Sequence, residues 1–165
     1  MISIGVVIDR AAFRATIAQD EDISSLYVNE YSTAAFMSLL VTENWASKCT
    51  FSNPVDYVFD RGNAQRVDLQ RAYDIALMMP GQREMLGALS FGDDKRIPAL
   101  QAADLIAYEA CEIYTDVHLG KNRFRHSMSA ILSNMRCDIK IASESGLSKL
   151  VRRMHEIDDG DLCDH

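Results

Sequence analysis

Two aspartates carry the chemistry that can be read from this sequence. Asp60 follows the apolar run Val55-Asp-Tyr-Val-Phe59 and precedes Arg-Gly-Asn, where a strand would stop. Asp104 sits inside Pro98-Ala-Leu-Gln-Ala-Ala-Asp-Leu-Ile-Ala-Tyr108, flanked by Leu105 and Ile106. Gln101 and Tyr108 lie one helical turn either side of it, on the same face. An acid within an apolar helix is costly unless it is paired or holds a cation. Carboxylates converging within about 4 Å repel by roughly 1–4 kcal/mol at surface-like dielectric. A hard divalent cation, Mg²⁺ or Mn²⁺, removes that penalty. The chemistry that follows is metal-assisted hydrolysis of a phosphodiester, with the ion orienting and activating water. Asp9, ending the first apolar run before Arg10, is a third candidate ligand, and Lys95 and Gln101 are candidates for substrate contact. The competing readings are structural. Asp60 would then be turn chemistry, Asp104 the partner of Lys95, Arg96 or another basic residue, and Asp93 and Asp94 turn or cap residues.

Such acids need elements that aim them. Ile2-Ser-Ile-Gly-Val-Val-Ile8 reads as a buried strand, and residues 11–30 as a polar connection containing the cluster Asp20-Glu-Asp22. Helical periodicity runs from about Tyr31 to Trp45, with Ser32 or Asn29 as its cap. Phe51-Ser-Asn-Pro54 is turn chemistry, and Val55–Phe59 a short strand. Asn63 would cap a helix from about Ala64 to Met79, with Leu69, Ala72, Tyr73 and Ala76 as its buried stripe and Pro80-Gly81 as its stop. Leu86–Phe91 is a third strand. Pro98 suits the start of the next helix, whose packed face would be Leu100, Ala103, Ala107, Ala110 and Tyr114. Its alanines keep it thin enough to lie close on a sheet.

Strand and helix alternating three times predict an α/β fold with at least one parallel strand pair. Right-handed crossovers would gather the C-terminal strand ends at one edge, where ligands bind in open α/β sheets. Beyond Gly120 come a basic stretch, Arg123 to Arg125 around Phe124, and a short helix over Met128 to Met135. Cys137, Ile139 and Ile141 alternate too briefly to decide, and Leu147, Leu150, Val151 and Met154 mark an amphipathic helix.

Composition narrows the function. The net charge is −7, yet five acids and no Lys or Arg fall in the last ten residues. The rest holds 19 acidic against 17 basic side chains, a net of −2. Non-specific duplex binding needs a basic face, and composition gives no sign of one. Cys49, Cys111, Cys137 and Cys163 stand far apart without CxxC spacing, which argues against a disulfide framework or closed zinc site. His118, His126 and His155 read as surface side chains. There is no nucleophile elbow, Walker loop or dinucleotide fingerprint. No apolar run reaches membrane-spanning length and no signal-peptide pattern opens the chain, so the expected location is the cytosol.

Tyr57-Val-Phe-Asp-Arg61, Leu89-Ser-Phe-Gly-Asp-Asp-Lys95 and Pro98 to Tyr108, in that order and spacing, resemble the family called domain of unknown function 3800. The match covers roughly residues 2–118, and Leu-Gln-Ala-Ala-Asp-Leu is its most specific mark. The resemblance implies a ribonuclease-H-like mixed sheet with flanking helices and a metal-dependent nuclease site. Asp60 would match the family's strand-end aspartate, Asp104 its helical aspartate, and Asp94-Lys95 its Asp-Ser-Lys-type turn. The family's opening Tyr-Ile-Asp-Glu-Ser-Gly strand is absent, and Ile8-Asp9-Arg10 looks like a later strand. The expected organisation is an incomplete ribonuclease-H-like core over residues 1–118, a C-terminal helical cap over 119–155, and an acidic tail without fixed structure over 156–165. Two functions compete. One is a divalent-metal nuclease acting on nucleic acid with Mg²⁺ or Mn²⁺. The other is an inactive interaction module that binds a protein partner, forms a homo-oligomer, or is completed by an N-terminal segment supplied from elsewhere.

Overall fold

A continuous apolar run suits a strand covered on both faces, and Ile2–Ile8 forms β1. The computed structural model describes residues 2–26, 29–49, 53–62, 65–79, 84–121, 125–134 and 136–161. The expected turn residues Phe51 and Ser52, the cap Asn63, the stop Pro80-Gly81, Arg123 with Phe124, and Met135 lie outside them, as do Cys163 and His165. Val55–Asp60 forms β2 and Leu86–Gly92 forms β3, each one residue longer than its apolar run predicts.

A fourth strand, β4, spans Arg136–Ala142 and settles the undecided alternation there. It pairs in parallel with β1, from Ile2 opposite Arg136 to Ile8 opposite Ala142. β2 pairs in parallel with β3, from Val55 opposite Leu86 to Asp60 opposite Gly92, with a register shift between Val55 and Tyr57. Among the described residues no ladder joins the two pairs. The α/β class holds, with its strands divided into two half-sheets. The C-terminal region is also more than a helical cap, because it supplies β4.

Helices connect and cover the half-sheets. Residues expected as a polar connection instead form α1 (Arg10–Ala15), a single 3₁₀ turn at Ile17–Gln19, and α2 (Glu21–Leu26). The reason is burial: Phe13, Ile17 and Ile23 enter the core at 7%, 0% and 3% exposure. The acids there serve the helix, since Asp20 Oδ1 accepts the Ile23 N–H at 3.0 Å, and Glu21 and Asp22 occupy the first turn of α2, where the dipole favours negative charge.

α3 (Glu30–Lys48) starts at a capping box. The Asn29 side chain accepts the Ser32 N–H at 3.0 Å, and Ser32 Oγ accepts the Asn29 N–H at 3.4 Å. α4 (Arg66–Met78) buries the predicted stripe of Leu69, Ala72, Tyr73 and Ala76. α5 (Pro98–His118) follows β3, with Pro98 in its first turn. α6 spans His126–Asn134 and α7 spans Glu144–Asp161. The backbone of α7 is helical to Asp161, six residues into the segment expected to lack structure. Once a packed stretch such as Leu147–Met154 has nucleated a helix, propagation adds one hydrogen bond per residue.

α3 packs against both β1 and α4, and α5 against both β1 and β2. Helices, not strands, therefore hold the two half-sheets together. A single cluster including Phe13, Ile17, Phe36, Ala76 and Leu147 forms the core between them. No helix among the described residues is long and apolar enough to cross a membrane.

Candidate functional site

Among the described residues one edge of β1 carries no ladder, and α3 and α5 stand beside it, which leaves a recess. A cleft of about 540 Å³ runs along β1 from Ile2 to Val6 and reaches Phe59 on β2. α3 contributes Tyr31, Ala34, Ala35 and Ser38 to its walls, and α5 contributes Ala103, Asp104, Ile106 and Ala107 among others. The lining is mostly apolar, and among the described residues Asp104 is its only charged side chain.

The face of α5 on this cleft is the one expected to pack on a sheet. Of Leu100, Ala103, Ala107, Ala110 and Tyr114, only Ala110 is buried; Ala103 and Ala107 are exposed. Its alanines face the cleft along β1 instead of closing tightly on the strand. Its far end is anchored instead by the Tyr114 hydroxyl, which donates to Asp9 Oδ2.

The same displacement changes the meaning of Asp104. It is exposed, so the burial cost that singled it out does not arise. Its carboxylate makes no hydrogen bond or ion pair among the described residues, and the expected pairing with Lys95 or Arg96 is not made. Arg96 lies near Asp93 instead, at 3.9 Å. Asp60 Oδ1 accepts the Gly62 N–H at 3.2 Å, which is the turn role. Asp9 caps α1 by accepting the Ala11 and Ala12 N–H groups at 2.7 and 3.1 Å. The Tyr114 hydroxyl, followed by those backbone donors, holds its carboxyl below the usual range.

Lys95 lies in the turn before α5, and Gln101, in the first turn of α5, reaches back to it. The Lys95 N–H donates to Asp93 Oδ1 at 3.1 Å, and Gln101 Nε2 donates to the Asp94 carbonyl at 2.9 Å. Asp93 also takes Arg61 at 2.7 Å, tying the end of β2 to this turn. Both candidate substrate contacts are exposed. Mg²⁺ and Mn²⁺ need oxygens converging on one point. Among the described residues no three of His, Cys, Asp and Glu do so. Asp60, Asp104 and Asp9 therefore do not make a three-carboxylate centre.

The acids that the fold does bury are others. Glu43 on α3 and Glu109 on α5 are each 3% exposed. Ser127 Oγ donates to Glu109 Oε1 at 2.6 Å, while Oε2 of both glutamates and the Tyr57 hydroxyl find no hydrogen-bond partner among the described residues. Burial raises the Glu43 pKa, and Arg153 partly offsets it. Burial pushes Tyr57 up to about 12, with Glu43 and Tyr73 adding to the effect. A signal for Glu43 existed, because it continues the stripe Phe36, Leu39, Leu40 at helical spacing.

One consequence is a pH dependence. The folded chain keeps Glu43 protonated to higher pH than the unfolded chain does, so stability falls as pH rises through the carboxylate range. Glu43→Gln removes that loss. The variant should match wild type near pH 4 and exceed it by roughly 1–2 kcal/mol at pH 8, measured by urea unfolding at both values. Equal stability at pH 8 would place the carboxylate in water.

His155, expected at the surface, is half-buried, with Nε2 2.8 Å from Asp20 Oδ2. A shallower hollow of about 410 Å³ lies over α4, where Arg66 sits 4.3 Å from the Phe91 ring centre. No protein-family model, curated protein or solved structure matches the chain.

Proposed function

We propose that this chain is a protein-interaction module whose binding surface is the cleft between the half-sheets. The observation that carries the reading is an apolar recess along β1 with a single charged residue in its lining among the described residues. Apolar surface gathered in a cleft with few polar groups is the usual form of a binding site.

A second reading is a nucleic-acid-cleaving enzyme dependent on Mg²⁺ or Mn²⁺. It draws on Asp104 standing unpaired in the cleft and on Asp60 following Phe59, a cleft residue. The uses already found for Asp60 and Asp9 weigh against it.

A photoreactive side chain separates the two. Placed at Ala103, in the cleft, it should give one protein adduct of defined mass in extracts of the source cells. Placed at Lys149 on α7, outside the cleft, it should give none. An adduct to nucleic acid at Ala103 would favour the second reading. No adduct at all would contradict the first.

A further inference from the structure

The N–H and C=O groups of successive strand residues point to alternate sides, and a parallel neighbour takes one set. The Asp9 N–H donates to the Ala142 carbonyl at 3.4 Å, and the ladder from Ile2 to Ile8 has no register shift. Gly5 and Val7 therefore turn their backbone groups toward β4, while Ile4 and Val6 turn theirs away from it. Ile4 and Val6 both line the cleft. Backbone groups removed from bulk water are almost always paired. The group that matches a row of alternating donors and acceptors is another strand.

Three features fix the occupant. β1 offers an edge of about 23 Å at 3.3 Å per residue, enough for an extended segment of similar length. The walls from α3 and α5 are apolar and small, which suits a strand with apolar side chains on both faces, as in β1 itself. Among the described residues Asp104 is the only charge in the lining and is unpaired, so a Lys or Arg on the occupant complements it. A second folded copy does not fit, because its own β1 is walled by the same two helices.

Resting on the interaction-module reading, we propose that the cleft seats an extended apolar segment of another polypeptide. The segment pairs its backbone with Ile4 and Val6 and sets a Lys or Arg against Asp104. It would add a strand to the β1–β4 half-sheet and cover an edge that no described residue pairs with.

The test uses the full chain and a peptide copying Ile2–Ile8, with lysines added at both ends. Amide hydrogen exchange is followed residue by residue as the peptide is raised to millimolar concentration. Exchange at Ile4 and Val6 should slow at least about tenfold. Asp104→Asn should weaken binding about two- to fivefold, the range of an exposed ion pair. Two forms of the peptide, N-methylated at alternate residues, present one blocked edge each. At least one of them should fail to slow exchange. Unchanged exchange at both residues, or equal protection by both methylated forms, overturns strand pairing. Equal binding by Asp104→Asn overturns the placement of the charged end. If the Ala103 adduct forms while the peptide gives no protection, the module stands and the strand mode falls. If neither occurs, both fall.

Discussion

Phe36→Ala should destabilise the chain by about 3–5 kcal/mol, the range for truncating a buried aromatic. Phe36 is 0% exposed and lies on α3, in the same cluster as Ile17, Ala76 and Leu147. α3 touches both β1 and α4, and no ladder joins the half-sheets among the described residues. A cavity at Phe36 therefore loosens the contact that holds the β1–β4 pair to the α4 side. Against a typical total of 5–15 kcal/mol, such a loss is large. Urea unfolding should show a lower midpoint, and signals from the two half-sheets should cease to coincide. Val67→Ala, at a residue 73% exposed, should stay within about 0.5 kcal/mol. A loss under 1 kcal/mol at Phe36 would mean that the half-sheets are held by something else.

Filling the cleft should have the largest effect on binding. Ala107 lines it and is exposed, so an indole there projects into the recess without displacing core side chains. Overpacking of a fitted interface costs about 1–3 kcal/mol, and each 1.4 kcal/mol is tenfold in affinity. Ala107→Trp should therefore weaken the lysine-flanked peptide roughly ten- to a hundredfold. Its unfolding midpoint should remain near that of wild type, because no buried group is replaced. Isothermal titration beside urea unfolding separates the two effects. Undiminished binding would place the peptide elsewhere on the surface.

Local chemistry was legible where it acts alone. The Asn29 cap, the Leu69–Ala76 stripe of α4 and the strand at Ile2–Ile8 all follow from short-range pattern. The pairing of β4 with β1 joins residues more than 130 positions apart, and neither strand names its neighbour. The alanine face of α5 reads as packed in the sequence because small residues at helical spacing look the same whether a sheet closes on them or a cleft lies between. That ambiguity carried Asp104 with it, since its expected cost depended on burial. The start of the chain misled for the opposite reason. Asp20-Glu-Asp22 gave a polar impression that Phe13, Ile17 and Ile23 outweigh once a core exists to receive them. Of the two buried acids, Glu43 extends a stripe legible on α3, whereas the burial of Glu109 depends on tertiary packing that the sequence of α5 does not state.

These differences bear directly on the choice between enzyme and module. The three aspartates expected to hold Mg²⁺ or Mn²⁺ have other uses or stand apart: Asp9 caps a helix, Asp60 closes a turn, and Asp104 faces a cleft. The feature that unites the strands and helices around them is the open edge of β1. An unpaired edge in a recess is shielded from the edge-to-edge association that exposed strands risk, while it stays open to a segment thin enough to enter.

Amide hydrogen exchange across β1 in the free chain tests this most directly, since it needs no partner. Gly5 and Val7, bonded to β4, should exchange slowly, while Ile4 and Val6 should exchange at least about tenfold faster after correction for intrinsic rates. Equal protection of all four would mean that the edge is already covered, and the cleft would lose its role.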